Sequence, residues 1–177
     1  DRMALIAFKE NSAHVLNHPT TNIRVVAGNI RRLGASGSTP LADGMMKALE
    51  VVKQDRRRNK DMIPLVVIIS DFLPNIPLKI SGRGIDAASD TLYVAQLLRR
   101  EKIPVVVINT YHFTEFGIGS IKDTHWRFGG MPLATEIARI TGGRYYGFAF
   151  KGFMMPHYID SKKMEEIILE ATRDTNF

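Results

Sequence analysis

"PLVVIIS", Pro64 to Ser70, and "PVVVIN", Pro104 to Asn109, decide the fold. Both are short and almost wholly β-branched, the composition of strands covered on both faces. Ala87 to Glu101 lies between them and carries a helical apolar period, so the unit reads strand–helix–strand with the two strands parallel. Downstream, Pro132 to Thr141 is a further helix that stops at Gly142-Gly143 in the manner of a left-handed C-cap. "RYYGF", Arg144 to Phe148, is the next strand, and Ser161 to Thr172 reads as a closing helix. Upstream, Met3 to Phe8 and Ala13 to Asn17 are two short apolar runs joined by the polar "KENS", a hairpin connection. Ile23, Val26, Ala27, Ile30 and Leu33 then fall on one helical face, with Arg24, Arg31 and Arg32 turned to water. A second helix starting at Pro40 is expected to bury Leu41, Met45, Leu49 and Val52. The sum is an α/β domain: an open, mainly parallel sheet with helices on both faces and an antiparallel edge.

The composition agrees. The chain has 177 residues, 45% of them apolar and 24% charged, which is the make-up of one globular domain. No apolar run is long enough to span a bilayer and no leader-like segment is present, so a cytoplasmic location is expected. With no cysteine, disulfides, thiolate metal sites and cysteine nucleophiles are excluded. The net charge of +6 suits an acidic partner surface. Arg56-Arg57-Arg58-Asn59-Lys60 follows a helix and reads as cations complementing its C-terminus rather than as a nucleic-acid patch.

In sheets of this kind ligands bind beyond the carboxyl ends of the strands. Asp71 stands there, directly after "VVIIS", although "SDFLPN" is rich in turn formers and an aspartate there can serve the turn alone. In "LGASGSTPLADGMMKALEVV", Leu33 to Val52, Thr39 precedes Pro40 and can either cap the helix or present its hydroxyl to a ligand. Together, a hydroxyl and a carboxylate from two loops at one sheet end suit magnesium, which takes oxygen ligands and keeps several waters.

The order "DRMALIAF", "GSTPLADGM", "VVIISDFLPN", "LLRREKIPVVVINT" and "LATEIARITGGRYY" resembles the von Willebrand factor A (VWA) domain, and within it the C-terminal domain of the magnesium chelatase D subunit. The resemblance runs from about Asp1 to Phe148. In that family a metal-ion-dependent adhesion site is built from a DxSxS motif after the first strand, a threonine in a second loop and an aspartate in a third. Thr39 matches the threonine and Asp71 the aspartate, with Ser38 a neighbouring candidate, and the ion implied is Mg2+ or another divalent cation. No DxSxS occurs in this sequence, and Phe72 stands where the family has glycine. The first run matches the family's second strand. A first strand and helix are therefore missing, and their loss predicts a gap in the middle of the sheet. The expectation is a single VWA-like domain over residues 1–177, a fragment of a longer chain whose upstream residues supply DxSxS.

The resemblance implies a non-catalytic recognition domain whose bound metal accepts a carboxylate from an acidic partner surface. That partner would be the AAA+ ATPase subunit of a complex inserting a metal into a tetrapyrrole. A VWA module serving a MoxR-type ATPase in protein assembly, or a metal-free interaction domain, are the alternatives. The segment Thr110 to Met131 is long for a connection in a compact domain. Its Phe113, Phe116, Trp126 and Arg127 are of the types that anchor partners. They are candidate partner contacts on the metal face, or else they fold back onto the domain. An enzyme site formed by His112, Asp123 and His125 in the same loop is a further alternative. His14 and His18 have helical zinc spacing but lie in a strand-like run. "GASGST" lacks the lysine of a phosphate loop, and no "GxSxG" elbow occurs.

Overall fold

The computed structural model describes residues 1–34, 37–79, 86–110 and 131–147, and Glu166. Strand β1 (Met3–Lys9) turns at Glu10 and Asn11 into β2 (Ser12–Thr20). The pair is antiparallel with Lys9 opposite Ser12, and Glu10 takes the left-handed backbone (φ 56°) that so tight a turn requires. Helices α1 (Ile23–Arg31) and α2 (Leu41–Arg56) follow. Strand β3 (Val66–Ser70), helix α3 (Ala87–Arg100), strand β4 (Val105–Asn109), helix α4 (Met131–Thr141) and strand β5 (Arg144–Gly147) complete the described elements. Strands β3, β4 and β5 form a parallel sheet in that order, Val66 aligned with Val105 and Val106 with Arg144.

The core lies between this sheet and α2, α3 and α4. Leu41, Met45 and Leu49 of α2, Val94 and Leu98 of α3, and Ala134 and Ile137 of α4 meet Val66 and Ile68 of β3 and Val105 and Val107 of β4. The predicted stripe of α2 is thus the buried one, with Val52 half-buried at its margin. All five residues of β4 are buried, as its composition requires of a central strand. At the end of α4 Gly142 adopts φ 70°, and Gly143 N–H reaches back to the Ala138 carbonyl at 2.9 Å, closing the helix in a Schellman turn.

One expectation is met by the packing and two are corrected. First, the sheet carries the predicted gap: β1 and β2 form a separate two-stranded ribbon, and among the described residues β1 pairs only with β2 and β3 only with β4. Both sheets meet α2 instead, where Gly44 lies so close to Phe8 that a Cβ at residue 44 would stand 2.8 Å from the ring. Second, β3 is covered on one face only. Val66 and Ile68 are buried, whereas Val67 and Ile69 are 36% and 46% exposed. Third, the apolar face of α1 is largely in solvent. Only Val26 is buried, and Ile23, Ile30 and Leu33 are exposed, because α1 packs on the β1–β2 ribbon, which is too narrow to cover a helical stripe. The predicted helix from Ser161 to Thr172 falls almost entirely outside the described residues.

Candidate functional site

The carboxyl end of β3 delivers Asp71 to the rim of the sheet, and a small network fixes it there. Thr110 N–H closes the ladder onto the Ser70 carbonyl at 2.8 Å. Ser70 Oγ donates to Asp71 Oδ1 at 3.3 Å and accepts from Phe72 N–H at 3.2 Å. Leu73 N–H donates to the same Oδ1 at 3.1 Å, forming an Asx turn. Oδ1 is therefore occupied in holding the loop, while Oδ2 has no partner among the described residues.

Phe72 explains why this loop favours glycine. Its φ is 56°, a left-handed conformation that costs a side-chain-bearing residue about 1 to 2 kcal/mol. The ring is 1% exposed and belongs to the main core, and that burial offsets the strain. The side chain thus pins the loop from below while Asp71 stays half-buried at the surface.

Thr39 comes from the other loop. Its N–H donates to Asn75 Oδ1 at 2.8 Å, and Asn75 N–H returns a bond to the Thr39 carbonyl at 3.4 Å. The same carbonyl accepts Leu41 N–H at 2.9 Å. The capping role weighed for Thr39 is not what the backbone adopts. Pro40 is the N-cap residue of α2, which begins one residue later than predicted, and no side chain caps that terminus. The Thr39 hydroxyl has no hydrogen-bond partner among the described residues, and Ser38 lies half-buried beside it. Asp43, in the first turn of α2, is already engaged, its Oδ2 accepting Ala13 N–H at 2.6 Å and tying the helix to the hairpin.

Thr39 and Asp71 therefore sit on two loops stapled together by Asn75, a residue whose bridging role the sequence reading missed. A polar side chain closing "SDFLPN" four residues after the aspartate was the available signal. The donors are a carboxylate and hydroxyls, a hard set that fits Mg2+ and leaves coordination positions for water or further oxygen ligands. Among the described residues no three His, Asp or Glu side chains converge on a metal-sized site. His14 and His18 lie on β2, where four residues of strand span roughly 13 Å, so they do not form a helical zinc pair. Phe113, Phe116, Trp126 and Arg127, with His112, Asp123 and His125, lie outside the described residues.

Comparison with known proteins puts this geometry in a family. The VWA domain of SpRpn10 superposes with a TM-score of 0.54 over 83% of this chain and 64% of its own, at 13% identity. The uncharacterized protein MJ0910 of Methanocaldococcus jannaschii is 30% identical over 131 residues, 73% of this chain and 71% of that one. The magnesium-chelatase 60 kDa subunit of Cereibacter sphaeroides is 36% identical over 110 residues, 62% of this chain. This chain has the fold of a von Willebrand factor A domain and belongs to one family with MJ0910. It is similar in sequence to part of that magnesium-chelatase subunit and spans 19% of its length. No family model matches it. Within the described part of this VWA domain no helix is long and apolar enough to cross a membrane.

Proposed function

We propose that this VWA domain is the metal-dependent recognition module of a chelatase-like complex. Thr39 Oγ1 and Asp71 Oδ2, with Ser38 beside them, would hold Mg2+, and the ion would present an open position to a carboxylate of an acidic partner. The partner would be an AAA+ ATPase subunit, and the assembly would drive ATP-dependent insertion of a metal into a tetrapyrrole in the cytoplasm. ATP chemistry would lie outside these residues, and the chain would contribute binding rather than catalysis.

The observation that supports this reading is the Thr39–Asn75 staple. It brings the two candidate loops together while one oxygen of each of Thr39 and Asp71 has no partner among the described residues. The remaining ligands, a DxSxS set, would come from a strand outside these residues. Its place is suggested by the edges of β1 and β3, which are unpaired among the described residues. Phe113, Phe116, Trp126 and Arg127 would flank the open position as partner contacts.

The test is calorimetric titration of Mg2+ into the full-length protein, followed by capture of its AAA+ subunit. Asp71→Ala should abolish saturable Mg2+ binding and Mg2+-dependent capture, and Thr39→Ser should retain both. Unchanged Mg2+ affinity in Asp71→Ala would refute the reading.

A further inference from the structure

The opposite end of the domain carries a second feature, one that the metal reading does not use. Helix α2 runs from the Thr39 loop to Arg56, sixteen residues or roughly 24 Å. At its far end a cleft of about 460 Å³ opens between the helix and the end of the hairpin, lined by Arg2, His18, Pro19, Val51, Arg57 and Arg58 among others.

The charges in this cleft are unequally matched. Asp55 is its only carboxylate among the described residues and is already satisfied: Arg2 Nη1 lies 2.8 Å from Oδ1, and Asn59 Nδ2 donates to the same oxygen at 3.0 Å. Arg2 also donates to the Pro19 carbonyl at 3.0 Å, so its guanidinium is held in place. Within the basic run, Arg56 does the work expected of helix-terminal cations, but for the neighbouring helix. Its Nη1 donates to the carbonyl of Glu101, the C-cap residue of α3, at 2.7 Å. Arg57, Arg58 and Lys60, by contrast, have no acidic partner among the described residues. Two guanidinium groups are left without a counter-charge at a cleft whose lining includes the apolar Val51 and Pro19.

We propose that this cleft is a metal-independent docking site for an acidic peptide segment of a partner protein, with Arg57 and Arg58 gripping its carboxylates. Guanidinium forks pair with carboxylates in bidentate geometry, and the apolar lining accommodates an aliphatic side chain between acidic ones. A nucleic-acid surface would need cations tracking several successive phosphates. Here the cleft offers only the adjacent pair Arg57 and Arg58 as cations without an acidic partner among the described residues, and Asp61 follows Lys60 in the same loop.

The experiment is fluorescence anisotropy of a fluorescein-labelled peptide of alternating Glu and Leu, titrated with the full chain in EDTA. The expected result is saturable binding that weakens as salt is raised. Arg57→Glu/Arg58→Glu should bind about tenfold or more weakly, while Arg57→Lys/Arg58→Lys should lose less. Asp71→Ala should bind as the parent does, so failure of the metal site leaves this result untouched. Both arginine side chains lie at the surface, and a circular dichroism melt verifies that the variants fold. Absence of binding, binding that persists in the double Glu variant, or binding that requires Mg2+ would each overturn the proposal. So would displacement of the peptide by single-stranded oligo-dT at lower concentration than by unlabelled peptide, which would make the cleft a nucleic-acid site.

Discussion

Thr39 and Asn75, thirty-six residues apart in the chain, are joined through both backbone amides: Thr39 N–H to Asn75 Oδ1 at 2.8 Å and Asn75 N–H to the Thr39 carbonyl at 3.4 Å. The pairing ties the loop before α2 to the loop after β3. Asn75→Ala should therefore cost only about 1 kcal/mol of stability, the worth of one partly exposed hydrogen bond. Its effect on Mg2+ affinity should be larger, about 10- to 100-fold, because groups that orient ligands commonly matter on that scale. Chemical denaturation and calorimetry on the same variant separate the two effects.

Phe72 combines a left-handed backbone with a fully buried ring. Phe72→Ala should destabilise by roughly 3 to 5 kcal/mol through the cavity it leaves. Phe72→Gly removes the same ring but relieves the φ strain, so it should be the more stable of the two by about 1 kcal/mol. Urea midpoints of both variants test an order opposite to the usual preference for alanine over glycine.

The paired glycines after α4 should respond differently to alanine. A Cβ on Gly143 would lie 1.9 Å from the Val105 carbonyl oxygen, a backbone atom that cannot step aside, so Gly143→Ala should fail to fold or lose several kcal/mol. Gly142 has open space around it and only its φ of 70° to object, so Gly142→Ala should cost about 1 to 2 kcal/mol. Thermal melts of the two purified variants decide this.

Acid should weaken α3 at its first turn. Asp86 caps the helix, accepting Ser89 N–H at 2.7 Å, and its bonds to the Ser89 side chain and backbone hold its carboxyl below the ordinary aspartate range. A carboxyl whose folded pKa is lowered stabilises above its unfolded value, and that contribution is lost as pH falls through the folded pKa. Asp86→Ala should therefore cost about 1 kcal/mol at neutral pH. The difference from the parent should shrink below about pH 4, near the unfolded aspartate value. Denaturant midpoints across that interval measure it.

The bare face of β3 offers a test of the proposed additional strand and the helix after it. Val67→Thr and Ile69→Thr should shift the stability of these 177 residues by no more than about 0.5 kcal/mol each, since both side chains are substantially exposed. In a longer chain carrying the DxSxS strand and the helix after it the same changes should cost more than about 1 kcal/mol, the order expected of a buried methyl replaced by a hydroxyl. Equal small effects in both would argue against a helix covering this face.

Much of the architecture was legible because it depends on local pattern. The β-branched runs, the helical stripe of α2 and the Gly142-Gly143 stop each reflect a preference that neighbouring residues already express, and the observed elements match them to within a residue or two. The position of Asp71 was legible for the same reason: it ends an apolar strand, and strand ends in parallel sheets face the ligand side. The metal role of Thr39, Ser38 and Asp71 rested on resemblance and remains a proposal. Asn75 was not legible, since nothing local says which loop a turn-forming asparagine will reach.

What the sequence by itself determined is the succession of strands and helices, the parallel strand–helix–strand unit of β3, α3 and β4, and the end of the sheet at which Asp71 emerges. Periodicity and capping act over a few residues and need no partner to be read. Only the tertiary structure decided that both sheet fragments meet on α2, that α1 leaves its apolar stripe in water and that β3 is bare on one face. It also decided that the Thr39 hydroxyl is released from capping, and that Arg57 and Arg58 have no counter-charge among the described residues while Arg56 and Asp55 are satisfied. Each of these depends on which distant segment arrives, or fails to arrive, against a given surface, and burial and pairing are properties of that encounter rather than of the segment alone.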